Sequence, residues 1–108
     1  MEYNISKQFT KIPGGRYVTD GKFSGEEFRE TVLVNLLEEA IEKDEIVTID
    51  LDGTYGYPSS FLEESFGGLA RLYGKDKVCK YFSIISNDDP LQIERIKNYV
   101  EHANEKVF

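Results

Sequence analysis

The sequence predicts an α/β domain. Three observations carry that reading. Two apolar runs, Ile46 to Asp52 and Val78 to Ser86, have the composition of strands. Stretches with helical apolar spacing alternate with them. Each helical stretch also opens on a capping pattern. The order is strand, strand, helix, strand, helix, strand, helix. It leads us to expect a mixed sheet of about four strands carrying about three helices. The 108 residues fit one domain, residues 1–108.

Glu2 to Phe9 reads as the first strand, with Tyr3, Ile5 and Phe9 on one side. Pro13-Gly14-Gly15 is a turn signal. Arg16 to Thr19 reads as a short second strand, closed by Asp20-Gly21. Ser24-Gly25-Glu26-Glu27 is a capping box: the Ser24 hydroxyl accepts from the Glu27 amide, and the Glu27 carboxylate reaches back to the Ser24 amide. The next helix carries Phe28, Val32, Leu36 and Ala40 at four-residue spacing, widened by Leu33, Leu37 and Ile41. It is expected to end near Lys43.

Ile46 to Asp52 is the central strand, buried on at least one face. Asp52-Gly53 ends it. Ser60-Phe61-Leu62-Glu63 is a second capping box, followed by Leu62, Phe66, Leu69, Ala70 and Tyr73 on the inner side of a helix that Gly74 stops. Val78 to Ser86 is the last strand. Asp89 then caps a third helix, with Pro90 at its first position, Gln92 as capping partner, and Ile93, Ile96, Val100 and Ala103 at helical spacing. The end, Glu105 to Phe108, is expected to fray. The loop from Gly53 to Ser59 falls at the carboxyl ends of the strands, the edge where open α/β sheets form sites.

Thirteen Lys and Arg stand against twenty Asp and Glu, a net charge of −7. That balance weighs against nucleic acid, whose phosphates need a positive face, and against an anionic membrane surface. No apolar run approaches the roughly 20 residues of a membrane helix, and the start lacks the pattern of a signal peptide. Cys79 is the single cysteine, so no internal disulfide forms, and a cytoplasmic home is expected.

The stretch Ile46 to Leu62 resembles the centre of STAS domains, the fold of the anti-sigma factor antagonists. The whole chain is more similar to a STAS-like family of unknown function from bacteria and phages. Arg16-Tyr17, Asp20 to Glu30 and Ser60 to Leu69 carry that likeness. The resemblance implies a STAS-like sandwich that binds another protein. In the antagonists the partner is a histidine-kinase-like ATPase, which phosphorylates the first serine of a short turn. Ser59 aligns with that serine, and Ser60 comes directly after it. Pro58 stands where the antagonists carry Asp, and Phe61 replaces their Gly.

The expected function is therefore that of a non-catalytic regulatory module, switched by serine phosphorylation. The other readings are a bacterial or phage defence-related inhibitor or sensor acting on a larger complex, and a small-ligand sensor. Ser59 and Ser60 are the candidate phosphoacceptors, or else Ser60 caps a helix beside a plain loop residue. Tyr55, Tyr57 and Phe61 cluster in the loop, as an interaction surface if exposed and a lid on the core if buried. Glu63 and Glu64 form an acidic helix start that suits the dipole or a basic partner. Gly67 and Gly68 lie inside a helix at roughly 1 kcal/mol each, so either this helix approaches its neighbours closely or a partner's backbone comes near. These seven residues are the expected partner contacts. Arg16 and Arg29 are candidate anion or ion-pair contacts, grouped with Asp20 and Glu30.

Catalysis finds little support. His102 is the single histidine, at the end of the last helix, and Cys79 opens a buried-looking strand with no His nearby. Asp50 and Asp52 share a strand face but lack a third ligand. No phosphate loop, zinc spacing or nucleophile elbow occurs, so no catalytic residue, metal or cofactor is assigned. The sequence leaves the oligomeric state open.

Overall fold

Three short strands pair in parallel in the order β1-β2-β3: β1 Glu2–Asn4, β2 Val47–Asp50 and β3 Phe82–Ile85. The computed structural model describes residues 1–105. The expected fraying of Lys106 to Phe108 lies outside them. Five helices complete the fold. They are α1 Ile5–Gln8, α2 over residues 25–43, α3 over residues 59–73, α4 Lys75–Tyr81 and α5 Leu91–Glu101.

Strand order follows chain order, so each right-handed crossover steps the same way and leaves its helix on the same face. Burial along β2 shows the result. Val47 and Ile49 are fully buried, while Thr48 and Asp50 on the other face are partly exposed. Phe82 and Ile84 pair with Val47 and Ile49 and share their face. The core, including Phe28, Leu33, Leu37, Phe61, Leu62 and Phe66, lies between that face and the helices. No helix among the described residues is long and apolar enough to cross a membrane.

The sheet has three strands, all parallel, rather than about four in a mixed arrangement. Arg16 to Thr19 forms no strand; residues Val18–Asp20 make a 3₁₀ turn, closed by the Asp20 carboxylate accepting from the Tyr17 amide at 2.9 Å. Glu2 to Phe9 divides after Asn4, because the Asn4 side chain accepts from the Lys7 amide at 2.9 Å and opens α1. Val78 to Tyr81 belongs to α4. Val78 and Tyr81 are its buried positions, and their spacing of three is helical. Gly74, at φ 93, ends α3 and lets α4 begin at once. Cys79 is consequently exposed on a helix rather than buried in a strand.

Both long helices contain a π turn, Arg29–Leu33 in α2 and Glu63–Gly67 in α3. Such a turn admits an extra residue and rotates the rest of the helix beyond it. In α2 the buried series is therefore Phe28, Leu33, Leu37 and Ala40, and the expected Val32 and Leu36 are only partly covered. α2 ends at Lys43 as expected, with Asp44 left-handed at φ 52.

Candidate functional site

Two regions collect the residues singled out by the sequence. The first is the crossing of α2 and α3, where the two π turns meet. Gly25 lies against the Phe61 backbone: a Cβ on Gly25 would stand 2.5 Å from the Phe61 carbonyl oxygen. A Cβ on Gly68 would stand 2.6 Å from Arg29 Nη1. The helices thus touch backbone to backbone at one point and backbone to guanidinium at another.

Arg29 and Glu64 pair across this contact at 2.5 Å, each side chain only 12% exposed. Arg29 Nη1 also donates to the Glu64 carbonyl at 2.9 Å, serving a carbonyl inside the wider turn. The Ser65 hydroxyl similarly donates to the Phe61 carbonyl at 2.7 Å. Arg16, from the loop before α2, reaches Glu63 at 2.5 Å and Glu64 at 3.2 Å. Arg71 meets Glu63 from about two turns further along α3 at 2.7 Å. Burial opposes ionisation of Glu63, but the Arg71 and Arg16 guanidiniums outweigh it and hold its pKa below the ordinary value.

These residues are occupied with one another. Phe61, Gly67 and Gly68 are buried, not surface positions open to a partner, because they form the inner side of α3. Glu63 and Glu64 do not present a free acidic face, because three arginines neutralise them. Arg16 and Arg29 are ion-pair contacts, as one of their two readings held. Asp20 bonds the Tyr17 amide instead of joining the cluster.

The second region is the rim at the carboxyl end of β2. Here the chain turns outward through residues 51–58 and re-enters as α3. Asp52 and Asp88 clamp it reciprocally: the Gly53 amide donates to Asp88 Oδ2 at 2.9 Å, and the Asp88 amide to Asp52 Oδ1 at 2.8 Å. Gly53 sits at φ 97, with Ser6 packed where a side chain would go. The Tyr57 hydroxyl donates to the Leu51 carbonyl at 2.8 Å. Burial pushes the Tyr57 phenol above its ordinary value, and the nearby Asp50, Asp52 and Asp88 push the same way, so it stays a proton donor.

Between these residues the rim holds a cleft of about 230 Å³, bounded by Thr54, Tyr55, Tyr57, Asp88, Asp89 and Gln92. Tyr55 points away from the core and is 85% exposed. Its amide donates to the Lys11 carbonyl at 2.9 Å, which brings it beside Ile12, itself 65% exposed. The loop's three aromatics therefore separate: Tyr55 is surface, Tyr57 is half-buried scaffold and Phe61 is core.

Ser59 is exposed at the first position of α3, and Ser60 is partly exposed beside it. Ser60 does not cap the helix, contrary to the sequence reading. Pro58 holds the N-cap position without a side-chain bond, and Glu63 is taken by arginines. At α2 the Ser24 hydroxyl does accept from the Glu27 amide at 3.0 Å, though the Glu27 carboxylate takes the Phe23 amide instead of that of Ser24. Asp89 accepts from the Leu91 amide at 3.3 Å and from the Gln92 side chain at 3.0 Å. Sequence reasoning missed Asp88 and Ile12, which lie on other segments and meet the site only through folding, and Arg71, which reaches Glu63 from further along α3. Asp50 accepts from the Asp52 amide at 2.9 Å, an intrachain turn. His102 lies against Glu105, far along the chain from the rim. Among the described residues no group of three or more His, Cys, Asp or Glu could hold a metal ion.

The fold and these two regions define a two-layer α/β domain with helices on one face of a small parallel sheet. The family model for the STAS-like domain of unknown function (DUF4325) matches residues 24–92, and the chain belongs to that family. The match runs from the α2 cap to the start of α5, so it takes in the crossing apart from Arg16, and the rim apart from Lys11 and Ile12. Comparison with the curated proteins and with the solved structures gives no significant match.

Proposed function

We propose that this domain is a non-catalytic regulatory module that binds another protein through its rim. The docking surface is the loop from Gly53 to Ser60, the first turn of α3, and Ile12. The supporting observation is Tyr55: a large aromatic ring, 85% exposed, on a loop held by the Gly53 amide donating to the Asp88 carboxylate and by its own amide donating to the Lys11 carbonyl. A side chain presented in that way loses little conformational freedom on binding, and tyrosine is enriched among residues that dominate interface energies. Ile12 alongside extends the apolar area.

The partner we favour is a histidine-kinase-like ATPase, on the likeness to the antagonist-type STAS domains. Ser59 would be its phosphoacceptor, with Ser60 second, since Ser59 is the more exposed of the two. A phosphate there would lie against the free amides of the first turn of α3. We assign the domain to the cytoplasm, on its single cysteine, Cys79.

The test is affinity capture from the native host with three baits: the wild-type chain, Tyr55→Ala and Leu72→Ala. Leu72 is 65% exposed on α3, away from the loop. A partner retained by wild type and Leu72→Ala but lost by Tyr55→Ala supports the rim. Equal retention by all three baits refutes it. Phosphosite mapping of the native protein that finds Ser59 and Ser60 unmodified under every growth condition tested would remove the phosphoswitch and leave the docking surface standing.

A further inference from the structure

The sheet ends at β3 without a neighbour among the described residues. In a parallel ladder alternate residues turn their backbone groups to alternate sides. The Leu51 amide donates to the Ile85 carbonyl at 2.8 Å. Ile85 and Ser83 thus address β2, and the Ile84 amide and the Phe82 and Ile84 carbonyls point to the outer edge, while the Phe82 amide donates to the Val78 carbonyl at the end of α4. An exposed edge of this kind is a template for another strand.

A trough of about 460 Å³ runs along that edge. Phe66, Phe82, Ile84, Ile93, Ile96 and Val100 form its apolar wall, between β3 and α5. Ser83, from the opposite face of β3, also borders it, so the trough wraps the edge of the strand. Lys80 and Lys97 stand on its rim, and no lining residue is acidic. Both lysines are exposed, and neither enters a salt bridge among the described residues. In a chain of net charge −7 this is a locally positive, apolar strip.

The geometry points to a second docking surface: the β3 edge receives an extended segment of a partner protein, in which apolar residues alternate with acidic ones, as a fourth strand. The outward Ile84 amide and the outward Phe82 and Ile84 carbonyls call for a polypeptide rather than a hydrocarbon ligand, which would leave them unsatisfied. Alternate side chains of an added strand would fill the trough, and those between them would lie within reach of Lys80 and Lys97. A second copy of this chain fits less well, because it would bring a further −7 and its own Lys80 and Lys97 to the same edge. The surface shares no residue with the rim and goes beyond the proposed function.

The test uses the full chain and an end-blocked peptide of alternating valine and glutamate, followed by backbone amide chemical shifts at low salt. We expect saturable shifts at the Ile84 amide. Binding should weaken about fivefold or more with the lysine-for-glutamate peptide, and likewise in the Lys80→Glu/Lys97→Glu variant. N-methylation of the peptide's backbone on alternate residues should abolish it in one of the two registers. Tyr55→Ala should bind the peptide as wild type does, which separates this surface from the rim. An unshifted Ile84 amide would overturn the inference, as would equal affinity for both peptides. So would a wild-type dimer with that amide already protected from exchange.

Discussion

α3 begins at the rim and, one turn later, enters the crossing with α2, and the two ends of that short path behave oppositely. At the crossing, five charged side chains from three segments pair with one another beside the two close helix contacts, and Arg29 Nε is buried without a partner among the described residues. At the rim, the backbone is tied down and the side chain at its tip is left free. The segment from Ser60 to Leu69 looks in sequence like one functional motif. Its second half is a structural joint, and only its beginning borders open surface. In this domain clustered charge marks where helices are joined, and an unpaired aromatic marks open surface.

That contrast can be broken most directly at Gly25. A Gly25→Ala variant places a methyl group against the Phe61 backbone, which cannot swing aside as a side chain can. We expect a loss of about 3 kcal/mol, read as a lower midpoint in urea unfolding. Stability within error of wild type would mean that the helices are not in close contact there. Glu64→Ala should come next, at about 2 kcal/mol, because it strands the largely buried Arg29 guanidinium. A double-mutant cycle with Arg29→Met should return most of that loss.

The two capping serines sharpen the comparison further. Ser24→Ala should cost about 1 kcal/mol, since its hydroxyl serves the Glu27 amide in a buried setting. Ser60→Ala should change stability by less than about 0.5 kcal/mol, because Ser60 caps nothing. Equal costs would restore the second capping box. The remaining effect belongs to Glu63 and depends on pH. Its pKa is lowered on folding from an ordinary value of 4.5, so its contribution is present above that value and fades as the pH falls through the folded value. Glu63→Gln should therefore trail wild type by up to about 1 kcal/mol at neutral pH, and the gap should close in acid. A gap that widens in acid would reverse the assignment.

Much of the local structure was legible. The Ser24 hydroxyl bond, the end of α2 at Lys43 and the outward loop after β2 all follow from short-range chemistry that involves neighbouring residues. Errors arose where two local signals competed. Val78 to Tyr81 is apolar enough for a strand, yet its buried residues fall three apart. Glu2 to Phe9 alternates like a strand, yet Asn4 caps a helix. The π turns were invisible because an inserted residue preserves the apolar count and shifts only its phase, as Leu33 and Leu37 show against Val32 and Leu36. Of the candidate partner contacts, burial withdrew Phe61, Gly67 and Gly68 and ion pairing withdrew Glu63 and Glu64.

By itself the sequence determined the α/β class, the family and the approximate starts of the three longer helices, since caps, glycines and apolar spacing act over a few residues. Tertiary structure alone decided which charged residues are spent internally, that Ile12 lies beside Tyr55, and that β3 closes the sheet with a bare edge. Those outcomes depend on segments up to tens of residues apart meeting in one place, and pairing at that range leaves no mark on the local pattern of either partner.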